Sequence, residues 1–332
     1  MSGFAVKRDS GLFIGDVDVA PASGTIDITE NGTDIDVARY AKANVNVSGL
    51  TVNTITYDNV VEKCEPVSGS LYDLQIPSDV EYTRLSNECC FANNNVKTVT
   101  IGDNITTIAN GLSQNQYGEN NAVKISAFGY CKNLTDVLGG TNIIDVGDLT
   151  FVGCDELSNV SALFNSGSLK HVGDYAFYGC RSLTGTIKFN ALNEIGASAF
   201  RRTQLNNIYI IGTDTNIYNA WIRSRAFKIE SGHYDKLILN TSGPSTTLDI
   251  EGLAFSGSSG TYVSVLAILS NHISFSTDSF SDFHSNIIDF YTHLNQSDFT
   301  TWLNNLNDTT LKNAITNASN IHYEYSGDGS EL

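Results

Sequence analysis

Three cysteines recur in register. Cys131, Cys154 and Cys180 each stand three residues after a phenylalanine (Phe128, Phe151 and Phe177), so the thiols are spaced by 23 and 26 residues. Thiols can bridge, bind metal or fill a core. The spacing matches no zinc pattern, and the next equivalent position holds Thr203. If the intervals are stacked coils, equivalent positions lie roughly 5 Å apart, close enough for a bridge. Three thiols in a row cannot all pair, however, and small buried thiols suit an apolar column. The expectation is a buried, unbridged, metal-free ladder; Cys89-Cys90 is adjacent and unsuited to bridging itself, and Cys64 stays unplaced.

Catalytic chemistry is not supported by the remaining candidates. His171, His233, His272, His284, His293 and His322 are scattered, without a His-x-x-x-His pair, and no Gly-x-Ser-x-Gly elbow is present. Gly139-Gly140 and Ser256-Gly257-Ser258-Ser259-Gly260 lack the lysine of a phosphate cradle. Asp278, Asp282 and Asp289 do not single out a glycosidase pair. No catalytic residue, metal site or cofactor is expected. Binding is the better prospect, through aromatic side chains that give large contact area at low entropic cost: Tyr130, Tyr178, Tyr209, Tyr218 and Trp221. For Tyr130 and Tyr178, which closely follow a repeat phenylalanine, the competing role is edge packing between coils.

The elements that must hold these residues repeat. Ile125-Ser126-Ala127-Phe128-Gly129-Tyr130-Cys131-Lys132-Asn133-Leu134 returns as Val146-Gly147-Asp148-Leu149-Thr150-Phe151-Val152-Gly153-Cys154-Asp155-Glu156-Leu157 and as Val172-Gly173-Asp174-Tyr175-Ala176-Phe177-Tyr178-Gly179-Cys180-Arg181-Ser182-Leu183. Ile195-Gly196-Ala197-Ser198-Ala199-Phe200 opens a fourth copy, and weaker ones centre on Phe227, Phe255 and Phe280. Gaps between the phenylalanines are 23, 26, 23, 27, 28 and 25 residues. Such a period marks a solenoid whose units bury their apolar faces only on one another. Runs such as Leu205-Asn206-Asn207-Ile208-Tyr209-Ile210 read as short strands. Gly147, Gly173 and Gly196 are expected where the coil turns sharply. Residues 211–220 insert into one coil.

This pattern resembles the BspA-type leucine-rich repeat, approximately I-G-x-x-A-F-x-x-C-x-x-L-x-x-V-x-I-P, over about half the chain. The resemblance implies a ladder of coils, each with one short strand and a turn. The expected fold is a β-rich α/β solenoid, a leucine-rich-repeat stack with a small N-terminal β-module and a C-terminal helical cap. Its expected divisions are 1–50 (β-module), 51–84 (transition), 85–290 (solenoid) and 291–332 (helical cap and tail).

Composition agrees with an extracellular type of surface. Of 332 residues, 17% are charged and 41% hydrophobic, with a net charge of -17. An acidic chain without a basic stripe has nothing to dock on nucleic acid or an anionic membrane. Charged residues interrupt Met1 to Ala20, so no signal peptide is expected, nor does any run suit a membrane span.

Residues 24–47 resemble an I-T-E-N-G-T-Y-D-V-x-x-Y-A-x-V-N-V-N-V element of phage tail and fibre proteins, with Asp34-Ile35 where that pattern has a single tyrosine. Ile26/Ile28 and Ile35/Val37 around Asn31-Gly32 predict a β-hairpin, with Val45 and Val47 on a third strand. That resemblance implies a virion protein: the N-terminal module docks on other virion proteins, and the solenoid meets a host cell-surface glycan or protein. The alternatives are a purely structural virion component and a bacterial BspA-type surface adhesin. Homo-oligomerisation is left open.

At the other end, Ser297-Asp298 is the expected N-cap of a helix carrying Phe299, Trp302, Leu303 and Leu306. A second helix follows Asn307-Asp308, and residues 326–332 read as a frayed tail or a virion contact.

Overall fold

The computed structural model describes residues 96–332 apart from 104, 109, 114–122, 126, 166, 231, 242–245, 259–260 and 283–286; of residues 1–95 it describes the backbone of nine strands, and for Leu112–Ser113 and Val123–Ile125 likewise the backbone alone. Cys64, Cys89 and Cys90 lie outside the described residues. The chain forms two units, Met1–Ser166 with Gly179–Ser182, and Gly167–Tyr178 with Leu183–Leu332.

In the first unit, the strands Gly11–Ile14, Thr33–Val37, Val52–Tyr57, Tyr72–Ile76, Val96–Ile101 and Asp136–Gly139 pair in that order, all parallel. Ala5–Arg8 adds an antiparallel edge. Between them in sequence, Ser23–Asp27, Lys42–Val47 and Ser68–Gly69 form a second parallel set. Asn31-Gly32 lies outside the described residues, and the strands flanking it do not pair with each other as the expected hairpin would require. Ser23–Asp27 pairs with Lys42–Val47, while Thr33–Val37 pairs with Gly11–Ile14 and Val52–Tyr57. Alternate strands thus join different sheets, as in a solenoid, and this alternation starts well before residue 85.

The repeat signature builds an interior. Phe128 and Phe151 are fully buried and stack with centroids 5.2 Å apart and planes 7° from parallel. Each coil hands a backbone bond to the next, as where the Phe128 N–H donates to Thr150 O at 2.9 Å. Cys131, Cys154 and Cys180 are buried and unbridged. The Cys154 thiol donates to Phe128 O at 3.1 Å and the Cys180 thiol to Phe151 O at 3.2 Å. Burial pushes both thiols well above their ordinary range, so they stay protonated, able to donate and poor as nucleophiles. Thr203 keeps a donor at this position, with its hydroxyl bonded to Phe200 O at 2.7 Å within its own coil.

The second unit continues the scheme with two parallel sheets. Long strands Thr184–Phe189, Gln204–Ile210, Tyr234–Leu239 and Val263–Ile268, extended by the shorter Asp289–Thr292 and Asn320–His322, form one. Short strands His171–Val172, Glu194–Ile195, Asn219–Ile222, Thr247–Ile250 and Ile273–Phe275 form the other. Phe177, Phe200, Phe227, Phe255 and Phe280 stack in a buried file with successive centroids 5.2, 5.1, 5.3 and 5.2 Å apart.

Turn geometry departs from expectation. Left-handed φ falls not on Gly147, Gly173 or Gly196 but on the residue two before the phenylalanine: Leu149, Tyr175, Ser198, Arg225 and Leu253, with φ between 56° and 64°. Such backbone costs a non-glycine residue about 1–2 kcal/mol, which burial of the adjoining phenylalanine offsets. Gly196 serves close approach instead, because a Cβ there would overlap the backbone of Gly173 and Asp174.

Two helices, α2 (Gln296–Asn304) and α3 (Thr309–Thr316), follow Asp289–Thr292, whereas α1 (Ser161–Asn165) belongs to the first unit. The N-cap of α2 is Asn295, not Ser297 or Asp298; its extended backbone lets its side chain accept from Ser297 N and Asp298 N at 3.0 Å. Asp308 caps α3 and is fully buried. One carboxylate oxygen accepts from Leu311 N and the other from Phe280 N, both at 2.9 Å. Phe255 N–H donates to Ser279 O in the following coil, so for Phe280 a side-chain oxygen stands where the next coil's carbonyl would be. After α3 the chain returns to the sheet as Asn320–His322, and residues 324–332 lie across its face instead of fraying.

Candidate binding site

Of the five aromatic candidates, Tyr130 belongs to the first unit and the other four to the second, where they do not share one face. In the first unit, Tyr130 takes φ 57°, lies against Gly153 and carries Lys132 Nζ 5.1 Å from its ring centroid. This is edge packing between coils. In the second unit, Tyr178 sits on a turn edge, T-shaped against Tyr175 at 5.6 Å, with Arg201 and Arg202 5.9 and 5.3 Å from its ring. Tyr209 lies on the long-strand sheet, packed against Ile238, Ala267 and Leu269. Tyr218 and Trp221 are neighbours in the chain, Tyr218 just before Asn219–Ile222 and Trp221 within it.

Their surroundings form an ordered surface. Tyr218 is 87% exposed, the most exposed large hydrophobic side chain among the described residues. It lies near the end of the 211–220 insertion, which is anchored by polar contacts. Asp214 accepts from Asn216 N at 3.0 Å and pairs with Lys170 Nζ at 3.0 Å, and the Thr246 hydroxyl donates to Ile217 O at 3.0 Å. The Asn216 N–H, with the Lys170 ammonium, holds the Asp214 carboxyl below its ordinary range despite its burial.

Beside the insertion runs a register row on the short-strand sheet: His171, Glu194, Trp221, Asp249 and Ser274. The Arg223 guanidinium lies 4.4 Å from the Trp221 ring and bridges Glu194 (2.5 Å) and Glu251 (2.7 Å). Glu251 also accepts from Ser224 N at 3.0 Å. Burial raises the Asp249 carboxyl above its ordinary range. The result is a half-buried tryptophan held under a guanidinium and flanked by fixed charges, with the exposed Tyr218 three residues before it in the chain. Such a surface suits stacking and hydrogen bonding to a polar ligand.

Sequence reading missed Arg223, Glu194 and Glu251. The signal was there: Arg223 and Glu251 both stand four residues before their repeat phenylalanine, and Glu194, Trp221 and Asp249 all stand six before theirs. Two histidine pairs carried no such signal, His233 with Asp235 and His322 with Asp289, each at 2.9 Å. Tyr262 stacks on the first histidine and Tyr291 on the second. Among the described residues no group of three or more His, Cys, Asp or Glu side chains is placed to hold a metal ion. No helix among them is long and apolar enough to cross a membrane.

Coils of alternating parallel strands, a stacked phenylalanine file and a thiol ladder define a leucine-rich-repeat solenoid. The BspA type leucine rich repeat region family matches residues 25–120 and 116–230 in six copies, more than half the chain, and the protein belongs to that family. A leucine rich cell surface protein of Faecalibacterium prausnitzii A2-165 is similar over 98% of this chain and 96% of its own, at 15% identity and a TM-score of 0.30. No curated protein matches the chain.

Proposed function

We propose that this protein is a non-catalytic interaction protein of the bacterial cell-surface kind, and that it engages a glycan or protein partner through Tyr218, Trp221 and Arg223. The carrying observation is Tyr218, left 87% exposed on an insertion that Asp214 and Lys170 anchor beside an ordered tryptophan. A large aromatic held out in water by a fixed loop contributes little to folding and much to an interface. Insertions in a solenoid commonly mark its binding face. The virion reading rests on the sequence resemblance of residues 24–47 alone. Parallel pairing of the strands there favours a continuation of the repeat over a separate docking module.

Binding of the purified chain to panels of bacterial wall polymers, host glycoproteins and intact cells tests this. Tyr218→Ala and Trp221→Ala should each weaken binding by tenfold or more. Tyr218→Ala should leave stability within about 0.5 kcal/mol. Unaltered binding by both variants would remove this surface from the interface. Incorporation into purified phage particles, with no surface binding, would instead support the virion reading.

A further inference from the structure

The long-strand sheet has an outward face that is not bare. Its central register row runs Lys188, Tyr209, Ile238, Ala267, Tyr291 and His322. Strand alternation puts Ile238 opposite to Leu237 and Leu239, which join the interior. Yet all three are fully buried, and the same holds for Ala267 beside Leu266 and Ile268. Something covers the outside.

Tyr209 and Tyr291 of the flanking strands contribute to the cover, and the rest is the segment 324–332, which forms neither helix nor strand. Tyr325 and Leu332 pack on the cluster of Ile238, Ala267 and Leu269. Gly329, at φ 91°, lies directly on Ile238, where a Cβ would overlap Ile238 Cγ2. Few polar bonds fix the segment: Tyr325 N–H donates to Thr292 O at 3.0 Å, Glu324 N–H to Leu294 O at 3.1 Å, and the Asn240 amide to Asp328 O at 3.4 Å. The Tyr325 hydroxyl bonds Glu331 within the segment. Charge is complementary. The segment carries Glu324, Asp328 and Glu331, while Lys188 and Lys236 stand on the face it crosses. Asp289 on that face is already engaged by Asn320 and His322.

We propose that this outward face is a docking surface for an extended acidic peptide with aromatic and leucine anchors, and that residues 324–332 occupy it in cis as a displaceable competitor. The occupant already seated there defines the chemistry: two apolar anchors seven residues apart, a glycine at the closest approach and acidic groups between. Few backbone bonds and an apolar footing allow a rival segment to exchange with it without unfolding the sheet. This face is separate from the Trp221 surface, so the two proposals stand or fall independently.

The probe is a fluorescent synthetic peptide of residues 324–332. A variant ending at Tyr323 should bind it saturably, at least tenfold more tightly than the full chain, and Leu332→Ala in the peptide should abolish the difference. A folded truncation that ignores the peptide, or equal binding by both chains, would overturn the idea and leave the segment a fixed cover. Should the truncation not fold, hydrogen exchange of the full chain decides. Amides of Tyr325 and Leu332 should exchange at least a hundredfold faster than those of Leu237 and Leu266. Exchange of both groups in a single global event would overturn it equally.

Discussion

The two sheets of the second unit are built from the same coils, yet their outer rows are opposites. On the short-strand sheet the row is Glu194, Trp221, Asp249 and Ser274, with Arg223 laid over the tryptophan and fixed by two carboxylates. On the long-strand sheet the row is apolar at its centre, at Ile238 and Ala267, and the chain folds residues 324–332 across it. Both rows face away from one phenylalanine file. A repeat therefore dictates the inside of each coil and leaves the outside to be specified by whatever covers it, whether solvent, partner or the chain itself.

Removing what the sheets share should have the largest effect. Phe200 stacks on Phe177 and Phe227, so Phe200→Ala should cost about 3–5 kcal/mol in denaturant unfolding. A cost below about 1 kcal/mol would mean that the file is not what joins the faces. Next in size is the contrast itself. Ile238→Ala empties an outward site beneath the segment and should cost about 2–3 kcal/mol. Ser274→Ala, outward but exposed on the other sheet, should stay within about 0.5 kcal/mol. Equal costs would erase the distinction between a covered and an open face.

The smallest expected effect depends on pH. The folded Asp214 carboxyl is held below its ordinary range, so its ionised form stabilises the native state above about pH 4, the unfolded aspartate value, and that stability is lost as pH falls through the lower folded value. Lys170 is one-third exposed, which limits the term to about 1 kcal/mol at neutral pH. The stability gap between the wild type and Asp214→Asn should therefore shrink on acidification from pH 7 to pH 3. A gap that widens would remove Asp214 as the ionic anchor of the insertion bearing Tyr218.

Legibility in the sequence followed the same divide. The phenylalanine file and the cysteine ladder were readable from spacing because every coil must meet its neighbour at the same points. Toward the N-terminus, where the Phe-x-x-Cys signal fades, local turn chemistry at Asn31-Gly32 suggested a hairpin. Parallel pairing with more distant strands prevailed, since a strand in a stack gains two partners and a lone hairpin only one. Choosing Ser297-Asp298 over Asn295 as the N-cap was a displacement of two residues, within the usual uncertainty of helix boundaries. The binding site was only half legible. Tyr218 and Trp221 were nominated for their aromatic surface, but Tyr209 carries the same chemistry and packs against the apolar cluster of Ile238, Ala267 and Leu269.

By itself, then, the sequence determined the repeat, its period and the residues that line its interior, because burial at a fixed interval leaves a pattern in residue type. Tertiary structure decided what each outer face became. An isoleucine at position 238 reads the same whether it faces the file or the far side of its sheet, and a polar segment ending in Leu332 reads as a loose tail until the sheet supplies a surface for it. Contacts such as that of Asn240 with Asp328, 88 positions apart, are made where the chain folds back over the sheet and have no local signature in the sequence.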